Sequence, residues 1–183
     1  MSENSQIEQA AKIIKDGGVI SYPTESVFGL GCDPLNESAV KRILHLKNRA
    51  VDKGLIIVAG DLKQLAPYID ISAKEEQKIL SEKSVTTWLV NKSAFTPNWV
   101  SGKHNKVAIR VSRHPLIIQL CQTINQPLIS TSANPSGLSP ATTNQQSKHY
   151  FSNNVDLYID YQNKGSGQPT QIKDITTDTV IRK

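Results

Sequence analysis

The chain has 183 residues, 38% of them hydrophobic, with Lys+Arg 21 against Asp+Glu 16 and a formal net charge of +5. That length suffices for one globular domain with its own apolar core, without metals or disulfides to hold it together. Cys32 and Cys121 stand far apart with no CxxC pair, and no apolar run approaches the roughly eighteen residues of a membrane span, which argues against a secreted disulfide scaffold and a membrane protein. The amino terminus "MSENSQIEQA" is polar and lacks a signal core, so a reducing cytoplasm is the expected compartment. The positive balance suits polyanionic partners such as nucleotides, RNA or phosphates without choosing among them.

Ile7, Ala10, Ala11, Ile13 and Ile14 recur at helical spacing and Gly17-Gly18 supplies a stop, which predicts an opening amphipathic helix. "VISY" reads as a buried strand. Pro and Gly punctuate "PTESVFGLGCDP", after which Asn36 is placed to cap a helix with the apolar face Ala39, Val40, Ile43 and Leu44. Lys47 and Arg49 follow that helix, and Gly54 leads into "LIIVA", an unbroken apolar run typical of a strand covered on both faces. "DLKQLAPY" reads as a short helix capped by Asp61, and Ser72 with Glu75 matches a capping box. "VTTWLV" and "VAIRV" are β-branched strands separated by the polar "NKSAFTPNWVSGKHNK". Pro115 opens a helix with the face Leu116, Ile117, Leu120, Cys121 and Ile124, and "PLIST" is a strand running into "SANPSGLSPATTN". A helix near Asn144 to Phe151, a strand at "VDLYI", a Gly/Gln loop and a short strand at "TVIR" complete the order.

Alternating helices and strands predict the α/β class: an open, twisted, largely parallel or mixed sheet flanked by helices, in a single domain over 1–183. Ligands of such sheets sit beyond strand carboxyl ends, so the segments after "VISY" and "PLIST" are the first places to look.

Lys47 and Arg49 either interact with the carboxyl-end dipole of the preceding helix or are displayed to an anion, where Arg supplies a planar fork and Lys a point charge. Ser130, Thr131, Ser132 and Asn134 at the end of "PLIST" are either a hydrophilic turn or a set of hydroxyls and an amide for a phosphate, a metal-bound oxygen or a carboxylate. Thr24 follows Pro23 at a strand end, and Glu25 beside it reads as solvated in preference to a base or metal ligand. Arg110 lies in a strand expected to be buried, so its guanidinium needs an anion, in a structural ion pair or a ligand. The four histidines have no ligand-like spacing, and Trp88 and Trp99 read as packing residues. No Walker loop, nucleophile elbow or HExxH is present, so a reaction here is expected to rely on positioning, with no covalent catalytic residue.

The segments "SYPTESVFGLGCDP", "LKNRAVDKGLIIVA", "VAIRVSRHPL" and "PLISTSANPSG", in that order, resemble the YrdC-like family of threonylcarbamoyl-AMP synthases in its short, single-domain bacterial form. The resemblance spans most of Val19 to Gly137, with a KxR plus SxN signature at Lys47, Arg49, Ser132 and Asn134. It implies a concave, positively charged cavity and a nucleotidyl transfer in which L-threonine, bicarbonate or carbon dioxide, and ATP with Mg2+ give threonylcarbamoyl-adenylate and pyrophosphate. Separate threonylcarbamoyl-transferase proteins would then modify the adenosine beside the anticodon of certain tRNAs. Carried over, Lys47 and Arg49 would contact the ATP phosphates, Ser132 and Asn134 would hold the nucleotide and help place magnesium, and Arg182 would match a late arginine near the nucleotide. Arg110 would pair with the threonine carboxylate, with Thr24 and Ser130 beside it and Thr170 at a matching hydroxyl position. Two departures stand out: "SEKSVTT" replaces the usual Trp-Pro-Gly-Pro turn, and Ala50 stands where proline is usual. The alternative expectation is a non-catalytic module binding double-stranded RNA, tRNA or rRNA through the positive charge.

Overall fold

The computed structural model describes residues 3–161 and 165–182, so part of the Gly/Gln loop and the extreme ends of the expected 1–183 domain lie outside the described residues. In chain order the elements are α1 (Glu3–Lys15), β1 (Ile20–Tyr22), β2 (Gly29–Gly31), α2 (Glu37–Leu46), β3 (Ile56–Ala59), α3 (Leu62–Leu65), α4 (Ala73–Ser81) and β4 (Thr86–Asn91). Then follow α5 (Asn98–Ser101), β5 (Lys106–Val111), α6 (Pro115–Ile124), β6 (Leu128–Ser132), α7 (Asn144–Phe151), β7 (Leu157–Tyr158), β8 (Gln171–Asp174) and β9 (Val180–Arg182).

Local chemistry sets the helix starts. The Asn36 side chain accepts from the Ala39 amide, Asp61 accepts from Lys63, and Ser72 and Glu75 form a reciprocal capping box, as expected. Pro115 occupies the first turn of α6, but His114 makes no side-chain cap there. The amides of Arg113 and His114 instead donate to the Glu25 carboxylate.

The strands form one nine-stranded sheet in the order β7-β1-β2-β6-β3-β5-β4-β8-β9. Five of its eight junctions are antiparallel, so the sheet is mixed and not largely parallel. Short links explain this. The seven-residue step from Tyr22 to Gly29 holds no crossover helix, and without one β2 can only return antiparallel to β1. The sequence pattern missed β2 because its "GLG" carries no alternation. Gly31 is needed where it stands, since a Cβ there would lie 2.7 Å from Tyr22 Cε1 and 2.8 Å from the Ile129 carbonyl. β8 was missed because "QIKD" is short, polar and half-buried along its length.

Strand alternation divides the core into two layers. On one face Ile20, Tyr22, Val58 and Leu128 pack under α1 and α6. On the other, Leu30, Ile57, Ile109 and Ile129 pack under α2, α4 and α7. Arg110 and Ser130 share the first face with Val58 and Leu128, as the register Val58↔Arg110 and Ile56↔Ser130 requires.

Replacing Asn36 by alanine should remove the cap of α2 and lower stability by about 1 kcal/mol in urea denaturation. An unchanged midpoint would mean that packing of the Ala39–Leu44 face alone sets the position of that helix.

Candidate functional site

The face of the sheet under α1 and α6 is not covered along its whole width, and the remainder is the floor of a cavity of about 520 Å³. The turn after β1 supplies Thr24 and Ser26, β5 supplies Lys106, Ala108 and Arg110, and β6 supplies Ser130 and Ser132. Arg49, Lys53 and Gly54 enter from the segment before β3, and Thr170, Ile172, Ile181 and Arg182 from the carboxyl-terminal strands. Five Lys or Arg residues line the cavity, whereas among the described residues no Asp or Glu does.

Arg110 is 4% exposed. Its Nη1 donates to the Thr170 hydroxyl at 3.3 Å and its Nη2 to the Ser130 hydroxyl at 3.4 Å, while Nε has no hydrogen-bond partner. Among the described residues no carboxylate lies within ion-pair distance of it. The structural ion pair that burial would ordinarily demand is therefore missing, and the guanidinium is held by neutral hydroxyls on a cavity wall. Thr170 is itself buried and bonded to Thr87 at 3.0 Å. Thr24 donates to the Val27 carbonyl at 2.7 Å and accepts from the Ser26 amide at 3.1 Å, which folds the turn after β1 back toward the sheet.

The KxR and SxN residues divide into two pairs. Arg49 and Ser132 line the cavity, whereas Lys47 and Asn134 do not. Asn48 at φ +47 turns the chain between Lys47 and Arg49, and their side chains part company there. The buried Lys47 Nζ donates to the carbonyl oxygens of Ser132 and Asn134 and to Asn134 Oδ1, so the ammonium of this C-cap residue of α2 pins the end of β6 and is not directed at the α2 carbonyls. Burial, and then the charge of Arg49, pushes this amine down to about 7, but three acceptors around Nζ match the three donors of the charged form. The Asn134 amide donates to the carbonyls of Pro135 and Leu138 at 3.1 and 2.7 Å, closing the turn.

Arg49 Nη2 donates to the Gly54 carbonyl at 3.0 Å and its buried Nε has no partner. Arg182 Nη2 donates to the Thr170 carbonyl at 3.0 Å. Arg182 is exposed overall, but partial desolvation of its guanidinium beside the cavity, then Arg110 and Arg49, holds it below its ordinary value. Arg182 thus feels repulsion from both Arg110 and Arg49 beside a cavity that, among the described residues, no carboxylate lines.

Glu25 is not solvated. Its Oε1 accepts from the Ser112 hydroxyl at 2.5 Å and the Arg113 amide at 2.9 Å, and its Oε2 is buried without a partner. Lys53, Lys106 and His104 also line the cavity and were missed by the sequence reading. Only Lys106 left a signal: it alternates with Ala108 and Arg110 along β5, and its ammonium meets Asp174 at 2.6 Å. Of the two departures, "SEKSVTT" contributes nothing to the cavity wall, and Ala50 has φ −64, the angle a proline would impose. Trp88 is buried in the core and Trp99 donates to the Pro34 carbonyl, so both are packing residues. Among the described residues no group of three His, Cys, Asp or Glu is placed to hold a metal ion, and no helix is long and apolar enough to cross a membrane.

Burial pushes the Glu25 carboxyl up, but Arg110, the Ser112 hydroxyl and backbone amides outweigh it and hold the group below 4.5. Its stabilising contribution is then full above the unfolded value and lost as pH falls through the folded value. Urea midpoints should therefore be lower for Glu25→Gln than for the wild type at pH 7 and converge as pH falls through the folded value of the Glu25 carboxyl. Parallel acid limbs would refute this assignment.

The Sua5/YciO/YrdC family model, described as "Telomere recombination", matches residues 12–183. A threonylcarbamoyl-AMP synthase of Pseudomonas fluorescens is 42% identical over 184 residues, covering 100% of this chain and 99% of its own. One from Pseudoalteromonas atlantica is 48% identical over 170 residues, covering 91% and 90%. The crystal structure of P. abyssi Sua5 complexed with L-threonine matches with a TM-score of 0.86 at 29% identity, over 95% of this chain and 52% of that one. This chain thus spans about half the length of that Sua5. E. coli YciO, at 24% identity and a TM-score of 0.83, shares the fold.

Proposed function

The chain belongs to the Sua5/YciO/YrdC family, and from that premise we propose that it is a threonylcarbamoyl-AMP synthase. It joins L-threonine, bicarbonate or carbon dioxide, and ATP into L-threonylcarbamoyl-adenylate and pyrophosphate. The observation that carries this reading is Arg110, a buried guanidinium on a cavity wall that no described carboxylate contacts, Glu25 acting on it only from behind the wall. An α-carboxylate completes it, accepting two charge-assisted hydrogen bonds beside the hydroxyls of Ser130 and Thr170. Thr24 lines the same part of the cavity, its methyl group and the Ser130 hydroxyl both flanking Gly29. Full-length relatives named threonylcarbamoyl-AMP synthase, and the threonine complex of P. abyssi Sua5, support the same substrate.

The threonine amine attacks carbon dioxide, forming the N–C bond and releasing a proton. The carbamate oxygen then attacks the α-phosphorus of ATP, and the bond to pyrophosphate breaks. Neither step needs a protein nucleophile, so the protein's part is to align the reactants and offset charge. Arg49 and Arg182 face the triphosphate, and Ser132 supplies a hydroxyl to it. Lys47 and Asn134, in our reading, act on the nucleotide through the strand end they fix. Magnesium would enter as the ATP complex, offsetting the phosphate charge. The product is an activated carbamoyl donor for transferases that act on tRNA adenosine, and the unpaired buried thiols Cys32 and Cys121 suit a reducing cytoplasm.

Purified protein with ATP, magnesium and bicarbonate should release pyrophosphate only when L-threonine is added. Arg49→Ala should retain the fold and lose roughly 10²–10³ in turnover. Release that ignores threonine, or is unchanged in Arg49→Ala, would overturn the assignment.

A further inference from the structure

Glu25 does not line the cavity, yet it joins three segments that each carry a residue of the amino-acid subsite. It directly follows Thr24. Its Oε1 accepts from the Ser112 hydroxyl at 2.5 Å and from the amides of Arg113 and His114 at 2.9 and 3.2 Å, where β5 leaves the sheet just beyond Arg110. Its main-chain oxygen accepts from the Ser166 amide at 2.8 Å, and the next carbonyl, of Ser26, accepts from Gly167 at 2.8 Å. That strap leads to Thr170. The approach is close enough to require glycine: a Cβ on Gly165 would lie 2.5 Å from the carbonyl oxygens of both Thr24 and Ser26. Ser112 is fixed in turn, 2% exposed and with its amide donating to the Ala59 carbonyl at 2.8 Å.

A carboxylate before a helix can be a cap and nothing more. Here the carboxylate also accepts from the Ser112 side chain, and the main chain of the same residue receives the strap, so Glu25 joins more than a cap requires. We propose that Glu25 is a positioning residue for the amino-acid subsite, fixing Thr24, Arg110 and Thr170 relative to one another by clamping the three segments that carry them. The proposal rests on the synthase reading above. A substrate whose carboxylate sits on Arg110 meets Thr24 only if these walls keep their separation, and a displacement of about 1 Å costs on the order of 10²-fold.

The test compares Glu25→Ala, Glu25→Gln and Ser112→Ala with the wild type in pyrophosphate release, varying L-threonine and ATP separately, with urea denaturation reporting the fold. Glu25→Ala should raise the KM for threonine about tenfold or more while that for ATP stays within about twofold. Glu25→Gln keeps an acceptor at Oε1 and should recover most of the threonine KM, and Ser112→Ala should show a smaller rise of the same selectivity. Equal rises for both substrates, or a fall in kcat with both KM values unchanged, overturn the proposal. If Glu25→Ala does not fold, Ser112→Ala decides: a wild-type threonine KM there overturns it. A wild type that releases no pyrophosphate on adding threonine refutes the synthase reading and this proposal together, whereas an active wild type with unselective variants refutes this proposal alone.

Discussion

A buried guanidinium with no described carboxylate at ion-pair distance, Glu25 acting on it only through space, is the constraint around which this molecule is organised. Desolvating Arg110 costs several kcal/mol, and hydroxyls at 3.3 and 3.4 Å return only part of that because the contacts are long. The fold tolerates the deficit because the central strands β3, β5 and β6 and the layers on both faces over-determine the position of β5. What stands before Arg110 is a charge prepared for an anion. The Thr170 and Ser130 hydroxyls already orient that charge, and a charge oriented in advance is the condition under which electrostatic stabilisation is strongest.

The other cations divide their work. Arg49 and Arg182 stand on the cavity with Arg110, and the charges of Arg49 and Arg110 both bear on Arg182. Lys47 has turned away into a cradle of carbonyl oxygens, where it binds the end of β6 to the end of α2. A sequence signature read as four ligands is thus two cavity residues and two residues that hold them in place. That arrangement makes Ser132 rigid on a strand end, where a loop would leave it mobile.

Much of this was legible from local sequence. Caps at Asn36, Asp61 and Ser72 and the apolar faces of α1, α2 and α6 are short-range chemistry, and the structure has them as read. The cavity segments after "VISY" and "PLIST" were found by the rule for open sheets. What escaped depends on distant partners. The contacts of Glu25 lie 87 residues or more away in sequence, so its carboxylate could only look solvated. The direction of Lys47 is decided by the positive φ of Asn48, and the mixed sheet by links too short for a crossover. β2 and β8 lack the alternation that would have shown them.

The central claim is that Arg110 waits for the carboxylate of an amino acid, and calorimetric titration of the wild-type protein with L-threonine and with L-threoninamide tests it most directly. The amide keeps the amine, the hydroxyl and the methyl group but replaces the carboxylate by a neutral group with one acceptor oxygen. L-Threonine should bind and the amide should bind at least tenfold more weakly, as expected when a buried cation loses its charge-assisted partner. Equal affinity for the two would mean that Arg110 does not hold the carboxylate, and the account of the cavity would fail at its starting point.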